Sequence, residues 1–354
     1  MPPMSFVNTL LNTILLIGSY SSHETNALRM YDFNTETGDA KLIAVMPVAD
    51  ASYATLGANG MLYAVTESDT EHSYVTAIKL SEKNAEIIGS VKACGNSPCH
   101  IAVSPTGEFL ATANYGDGSV SIFPILQNGA PGELCQQLHF EGHSVHERRQ
   151  ASSHPHCISF SKDGKYMYVN DLGLDCIHKF KLAKNRNNFV SDTSEKRITL
   201  KPGSGPRHIV FSKDNTHAYL INEISDEIAV LTVKGSDMSV LDYYSSPQAG
   251  GMGAGDIQIS PDGKRLYGSL RLKNDGISQF SILQNGDKLA FETHTPTGTH
   301  PRTFTLSGDG KWLLAACRDA NAVEIYSLDP TTGVPVYHSK ISCDRPALVK
   351  FLEF

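Results

Sequence analysis

Residues 205–233, GPRHIVFSKDNTHAYLINEISDEIAVLTV, contain three apolar runs, HIVFS, HAYLIN and EIAVLTV, divided by short polar breaks. Runs of five to seven residues, rich in Val, Ile, Phe and Tyr and bounded by Ser, Asp and Asn, predict three consecutive antiparallel strands. Arg207 and His208 open the first run and Glu223 follows the second, where structural strands would do as well with uncharged residues. A strand that runs out and a second that returns bring those three positions to one face, outside the apolar sandwich.

The stretch recurs. PCHIAVSPTGEFLATANYGDGSVSIFPI starts at Pro98, PHCISFSKDGKYMYVNDLGLDCIHKFKL at Pro155, AGDIQISPDGKRLYGSLRLKNDGISQFSI at Ala254 and PRTFTLSGDGKWLLAACRDANAVEIYSL at Pro301, with a weaker copy from Ser52. The starts lie 46 to 57 residues apart, close to the roughly 40 to 50 residues of a propeller blade. Six units are visible. RPALVKFLEF at the C-terminus supplies one strand of a seventh, and TILLIGSYSSHETNALRMYDF near the N-terminus supplies its continuation. Joining them closes the ring and removes its open edges. The fold expected is therefore all-β, a seven-bladed propeller whose last blade combines N- and C-terminal strands, in one domain over residues 1–354. The SPTG, SKDG, SPDG and SGDG turns invite a phosphate-cradle reading, but a feature of nearly every unit belongs to turn geometry.

Composition narrows the function. With 30 Lys and Arg against 37 Asp and Glu, the net charge is −7, which argues against sequence-independent nucleic-acid binding. The most apolar early segment, LLNTILLIGSY, lacks a basic leader and falls short of the roughly 20 residues that span a bilayer; it reads as a strand, and no membrane association is expected. Seven scattered cysteines suit a reducing compartment, so the expected location is cytoplasmic. CGNSPC has no second Cys/His pair at zinc spacing. The chain is expected to be a monomer or a weak homo-oligomer.

The incoming ends of the first strands carry His100, His156, Arg207, His208 and Arg302, with His300 just before; the outgoing ends of the second strands carry Asn114, Asp171, Glu223, Arg271 and Arg318, with Asp175 and Asn321 slightly beyond. Arg, His and carboxylate groups converging from successive blades predict a pocket for a small anion together with an acid or base. In the long connection, residues 141–156, Arg149 is a stronger candidate than His143, His146 or Arg148. Asp171, Asp175, Glu223 and Asn114 could offer oxygen ligands, but arginines in the same mouth repel a cation, so neither metal nor cofactor is expected.

RQASSHPHC, VNDLGLDCIHKF, GPRHIVFSKDNTHAYLINE and THPRTFTLSGDGKWLLAACRDANAVEIY resemble the lactonase family of seven-bladed propellers, which includes one type of 6-phosphogluconolactonase and the fungal carboxymuconate cyclases. The resemblance implies a catalytic site at His156, Arg207, Glu223 and Arg271; GSLRLKND departs from the family pattern in having Leu270 where Asn is commoner. It implies a lactone-handling site; the expected reaction is hydrolysis of a small anionic sugar-acid lactone, foremost 6-phosphogluconolactone, by an activated water, and the strand-end and connection residues Arg149, His100, Asp171, Asp175, His208 and Arg302 are the substrate-binding candidates. No G-x-S-x-G elbow is present, which argues against a serine nucleophile. Lactonising cyclisation of a carboxymuconate and a non-catalytic, protein-binding propeller are the alternatives.

Overall fold

The computed structural model describes residues 12–20, 27–81, 84–185 and 188–352. Residues 10–11 and 353–354, at the tips of the two terminal stretches read as strands, and residues 21–26, within the N-terminal stretch, lie outside the described residues.

Seven four-stranded antiparallel sheets form the ring. Each is laid down from the channel outward. The opening stretch gives Pro206–Phe211 innermost, then His217–Asn222, Glu227–Lys234 and Asp237–Ser245. The other innermost strands are Tyr53–Leu56, Pro98–Val103, Pro155–Phe160, Ile257–Ile259 and Pro301–Leu306. The seventh sheet joins the ends: C-terminal Pro346–Leu352 is innermost and pairs with Asn12–Ser19, Leu15 opposite Phe351.

Burial follows position in the blade. Every residue of the second strands Met61–Thr66, Phe109–Asn114, His217–Asn222 and Trp312–Cys317 is buried, because neighbouring blades cover both of their faces. The outermost strands keep exposed residues throughout, as in Asp237–Ser245. The core therefore lies in layers between blades, such as that of Leu15, Ile17, Phe33, Trp312, Val323 and Phe351. Trp312 meets Phe33 edge-on at 5.9 Å and donates Nε1–H to Thr35 O at 2.7 Å, tying the sixth repeat to the closing blade.

The Ser-x-Asp-Gly turns are structural. Ser161, Ser212, Ser260 and Ser307 each donate Oγ–H to the Asp two residues on, at 2.6–2.7 Å. The next residue takes a positive φ, at Gly164, Gly263 and Gly310 and, in the opening stretch, at Asn215. These turns join first to second strands at the face opposite the charged strand ends.

Candidate active site

Four innermost strands begin with the same irregularity. Pro98, Pro155, Pro206 and Pro301 pair with the end of the second strand, but the next paired residues are His100, Cys157, His208 and Thr303. Cys99, His156, Arg207 and Arg302 are thus extra residues of β-bulges, which re-aim side chains at sheet ends. Proline fits the first position because a strand's first residue can dispense with its N–H. Arg207 and Arg302 turn to the mouth of the channel. His100, Cys157, His208 and Thr303 instead line a cavity of about 570 Å³ that runs down the channel, with Asp256 at the same level. His156, Arg207, Glu223 and Arg271 do not line that cavity.

The second strands supply an outer ring. Beyond each strand the chain turns, and in six blades the first residue past the strand donates its N–H to a carbonyl just before the inner strand: Tyr20 to Arg345, Glu67 to Asp50, Tyr115 to Ser97, Leu172 to His154, Glu223 to Gly205 and Arg318 to His300, at 2.7–3.1 Å. Arg271 follows Leu270 at the corresponding place. Leu270 is itself buried among apolar side chains, so a leucine at the strand's last position leaves Arg271 in the ring.

At the centre of one side is Glu223. Its Oε2 lies 2.9 Å from Arg207 Nε and 3.0 Å from Arg271 NH2, and Arg149 NH2 rests on Oε1. The Arg207 contact is an ion pair without hydrogen-bond alignment. Burial would raise the Glu223 pKa, but Arg271, Arg207 and Arg149 outweigh it and hold the carboxylate at about 2. Arg271 also donates Nε–H to Gly253 O at 2.6 Å and NH2 to Ala254 O at 3.1 Å, and its NH1 lies 3.2 Å from His300 Nε2. Burial is the main reason its own pKa falls to about 9, with Glu223 opposing the fall and Arg207 and Arg302 adding to it. Arg207 donates to Gly255 O at 2.6 Å.

Across the mouth, Arg302 NH2 lies 3.3 Å from Glu67 Oε2, which also accepts the Tyr20 hydroxyl at 2.7 Å. His156 lies close enough to Arg207, His208 and Arg302 that, after burial itself, they push its pKa well below the usual value. Its Nδ1 is buried and has no hydrogen-bond partner among the described residues. The four arginines Arg149, Arg207, Arg271 and Arg302 face two carboxylates, an excess of two positive charges, which suits a doubly charged anion.

Of the residues singled out in the sequence, the structure thus brings together His156, Arg207, Glu223, Arg271, Arg149 and Arg302. His208 borders them, its ring 5.3 Å from that of His156 and its nitrogens 3.4 Å from Arg207 NH1, while Asp171 and Asp175 are held elsewhere and His100 lies beyond His208 on the cavity side. His208 Nδ1 pairs with Asp256 at 2.8 Å, and its ring and that of His100 pack around Tyr53 at the cavity. Asp171 is fully buried and accepts from the backbone of His154, Gly173 and Leu174 and from His178. Asp175, at φ 51°, accepts from the amides of Gly203 and Gly205 at 2.7 Å. Both carboxylates hold loops in place. Asn321, also at positive φ, is a turn residue of the same kind. Asn114 is tied to Ser119 and Ser121, and Arg318 is paired with Asp319. With Asp171, Asp175, Asn114 and Glu223 engaged in this way, the oxygen set weighed for a metal is dispersed; among the described residues no group of three or more His, Cys, Asp or Glu could hold one.

Sequence reading missed Tyr20, Glu67 and Asp226. Asp226 accepts from five successive amides, Gly250 to Met252 on Oδ2 and Gly253 and Ala254 on Oδ1, at 2.7–2.9 Å. That loop carries the two carbonyls which hold Arg271. The available signal was the repeat itself: Asp226 stands four residues past Asn222 as Asp175 stands four past Asp171. Asp226→Asn keeps the left-handed backbone but turns an acceptor oxygen into a donor against those amides. It is expected to lose roughly 2–4 kcal/mol in urea unfolding; wild-type stability would show that the amides do not depend on the carboxylate.

Fold and site together define a seven-bladed propeller with a cationic mouth built from inner-strand bulges and second-strand ends. The family model described as Lactonase, 7-bladed beta-propeller matches residues 14–351, and the chain belongs to that family. A 6-phosphogluconolactonase of Formosa agariphila is 36% identical over 330 residues, 90% of this chain and 93% of that protein. The crystal structure of a candidate 6-phosphogluconolactonase from Bacteroides fragilis superposes with a TM-score of 0.94 at 33% identity, covering 98% of this chain and 100% of the other. The periplasmic gluconolactonase of Pseudomonas aeruginosa gives 0.88 at 26% identity, covering 97% and 99% respectively. No helix among the described residues is long and apolar enough to cross a membrane.

Proposed function

We propose that this protein is a carboxylic ester hydrolase that opens a sugar-acid lactone, converting 6-phosphogluconolactone to 6-phosphogluconate in the pentose phosphate pathway. The observation that carries the reading is the excess of positive charge at the mouth, set beside a buried histidine nitrogen with no protein partner among the described residues. The relatives' names supply the lactone. The seven unpaired cysteines support a cytoplasmic location.

In this mechanism His156 is the general base and Glu223 is not. Both groups are lowered, but Glu223 is held at about 2 by three arginines in direct contact, whereas His156 is lowered first by burial and keeps a neutral imidazole with Nδ1 uncommitted, so it is the group left to take the proton. The attacking water gives up a proton to the His156 imidazole and adds to the lactone carbonyl. Arg207 stabilises the resulting oxyanion, an interaction worth about 3 kcal/mol in comparable sites. The tetrahedral adduct expels the ring oxygen, which recovers the proton from His156. A carboxylic acid and a hydroxyl result, and the acid ionises to solvent. Glu223 keeps three arginines in register without neutralising them all.

The test compares ring opening of 6-phosphogluconolactone with cyclisation of a carboxymuconate, each against its uncatalysed rate. Acceleration of the first alone is the expected result. Acceleration of the second alone would assign the site to the cyclase, and acceleration of neither would remove the catalytic reading.

A further inference from the structure

The two sides of the mouth differ in charge. Around Glu223, three arginines surround one carboxylate. Glu67 is ion-paired with one arginine only, Arg302, which it neutralises, and Arg345 lies 5.8 Å from the centre of the Tyr20 ring. Glu67 Oε2 receives both Arg302 and the Tyr20 hydroxyl, and Arg302 stacks with its guanidinium carbon 5.2 Å from the centre of the Tyr20 ring. Neither Glu67 Oε1 nor Arg302 Nε and NH1 has a hydrogen-bond partner among the described residues. The Arg302 and Glu67 side chains remain 14% and 17% exposed, so both reach the mouth.

A carboxylate with one uncommitted oxygen beside a guanidinium with uncommitted N–H groups can accept from one hydroxyl and donate to the next. A phosphate gains little there, since Glu67 repels what Arg302 attracts. We propose that Tyr20, Glu67 and Arg302 form a polyol subsite that grips the hydroxyl-bearing carbons of the substrate, while the arginines around Glu223 take its anionic group. The inference rests on the sugar-lactone reading and adds an orientation to it. In a six-membered sugar-acid lactone phosphorylated on its exocyclic carbon, the carbonyl carbon and the carbon bearing the phosphate-carrying arm flank the ring oxygen, and the free hydroxyls occupy the opposite edge. Hydroxyls toward Glu67 then leave carbonyl and phosphate toward His156, Arg207 and Arg149.

The test is equilibrium binding by calorimetry of two ligands that share a phosphate, 6-phosphogluconate and butyl phosphate, which has no hydroxyls. Glu67→Ala is expected to weaken 6-phosphogluconate about 10- to 100-fold, while butyl phosphate, no longer repelled by the carboxylate, binds as well as to the wild type or more tightly. Glu67→Gln, which preserves volume should the alanine variant unfold, is expected to give the same selective loss at roughly 5-fold. Equal losses for both ligands, or no loss for either, would overturn the subsite. Lactone turnover is measured separately: a wild-type protein that binds both ligands but opens no lactone defeats the hydrolase reading, while the ratio of the two affinities still judges Glu67.

Discussion

His156→Gln is expected to lower kcat for lactone opening by about 10²–10⁴-fold, the range for losing a positioned general base, with the unfolding midpoint nearly unchanged. The two halves of the expectation share a cause. His156 Nδ1 has no protein partner among the described residues, so replacing the ring breaks no hydrogen bond at that atom and a side chain of similar volume refills the space. The pH profile carries a second signature. Burial first, then Arg207, His208 and Arg302, disfavour the imidazolium, so the folded pKa lies below that of a free histidine. A base must be unprotonated to act. Activity is therefore retained through the ordinary histidine range as pH falls, and the acid limb of kcat/KM appears well below the usual 6.5. An acid limb at or above the ordinary histidine value, or a variant that retains wild-type kcat, would transfer the base to another group.

Much of the architecture could be read from the chain because a propeller repeats its physical problem in every blade. Each unit must bury a second strand on both faces and turn back at the far end, so apolar runs and Ser-x-Asp-Gly turns return at one spacing. The charges of Arg207 and Glu223 were legible for the same reason: strand ends cannot enter the layers between blades. The bulge was not legible. Arg207 and His208 look like one cationic unit in sequence, but the register shift after Pro206 gives Arg207 to Glu223 and His208 to Asp256 and the cavity, although their side chains still lie 3.4 Å apart. Sequence also shows a carboxylate without showing what it binds. Asp171, Asp175 and Glu223 look alike as charges at strand ends, and backbone amides claim the first two while arginines claim the third. Tyr20 escaped notice because it carries no charge and its blade is assembled from strands at opposite ends of the chain; Glu67 lies in the weakest of the copies.

The arginine cluster predicts the largest effect on stability. Glu223→Gln is expected to cost about 3–5 kcal/mol at pH 7, because it leaves Arg207 and Arg271 buried at 1% and 4% exposure beside Arg149 with no counter-charge. The wild-type carboxylate is depressed to about 2 from 4.5. A lowered carboxylate pKa contributes stability that is present in full above the unfolded value and disappears as pH falls through the folded one. That contribution, roughly 3 kcal/mol at about 1.4 kcal/mol per unit, should be lost between about pH 4.5 and 2 in the wild type and be absent from the variant. Urea unfolding of both proteins across that window is expected to show their difference shrinking as pH falls. Removing Arg149 in addition should restore part of the stability at pH 7, since it lowers the uncompensated charge on the side where solvent already reaches. A variant as stable as wild type at pH 7, or a difference that does not change with pH, would mean that the arginines are held apart by the carbonyls of Gly253, Ala254 and Gly255 and not by Glu223. In that case the positive excess at the mouth would be a property of the backbone scaffold, and the anion would meet guanidinium groups that need no carboxylate to stay in place.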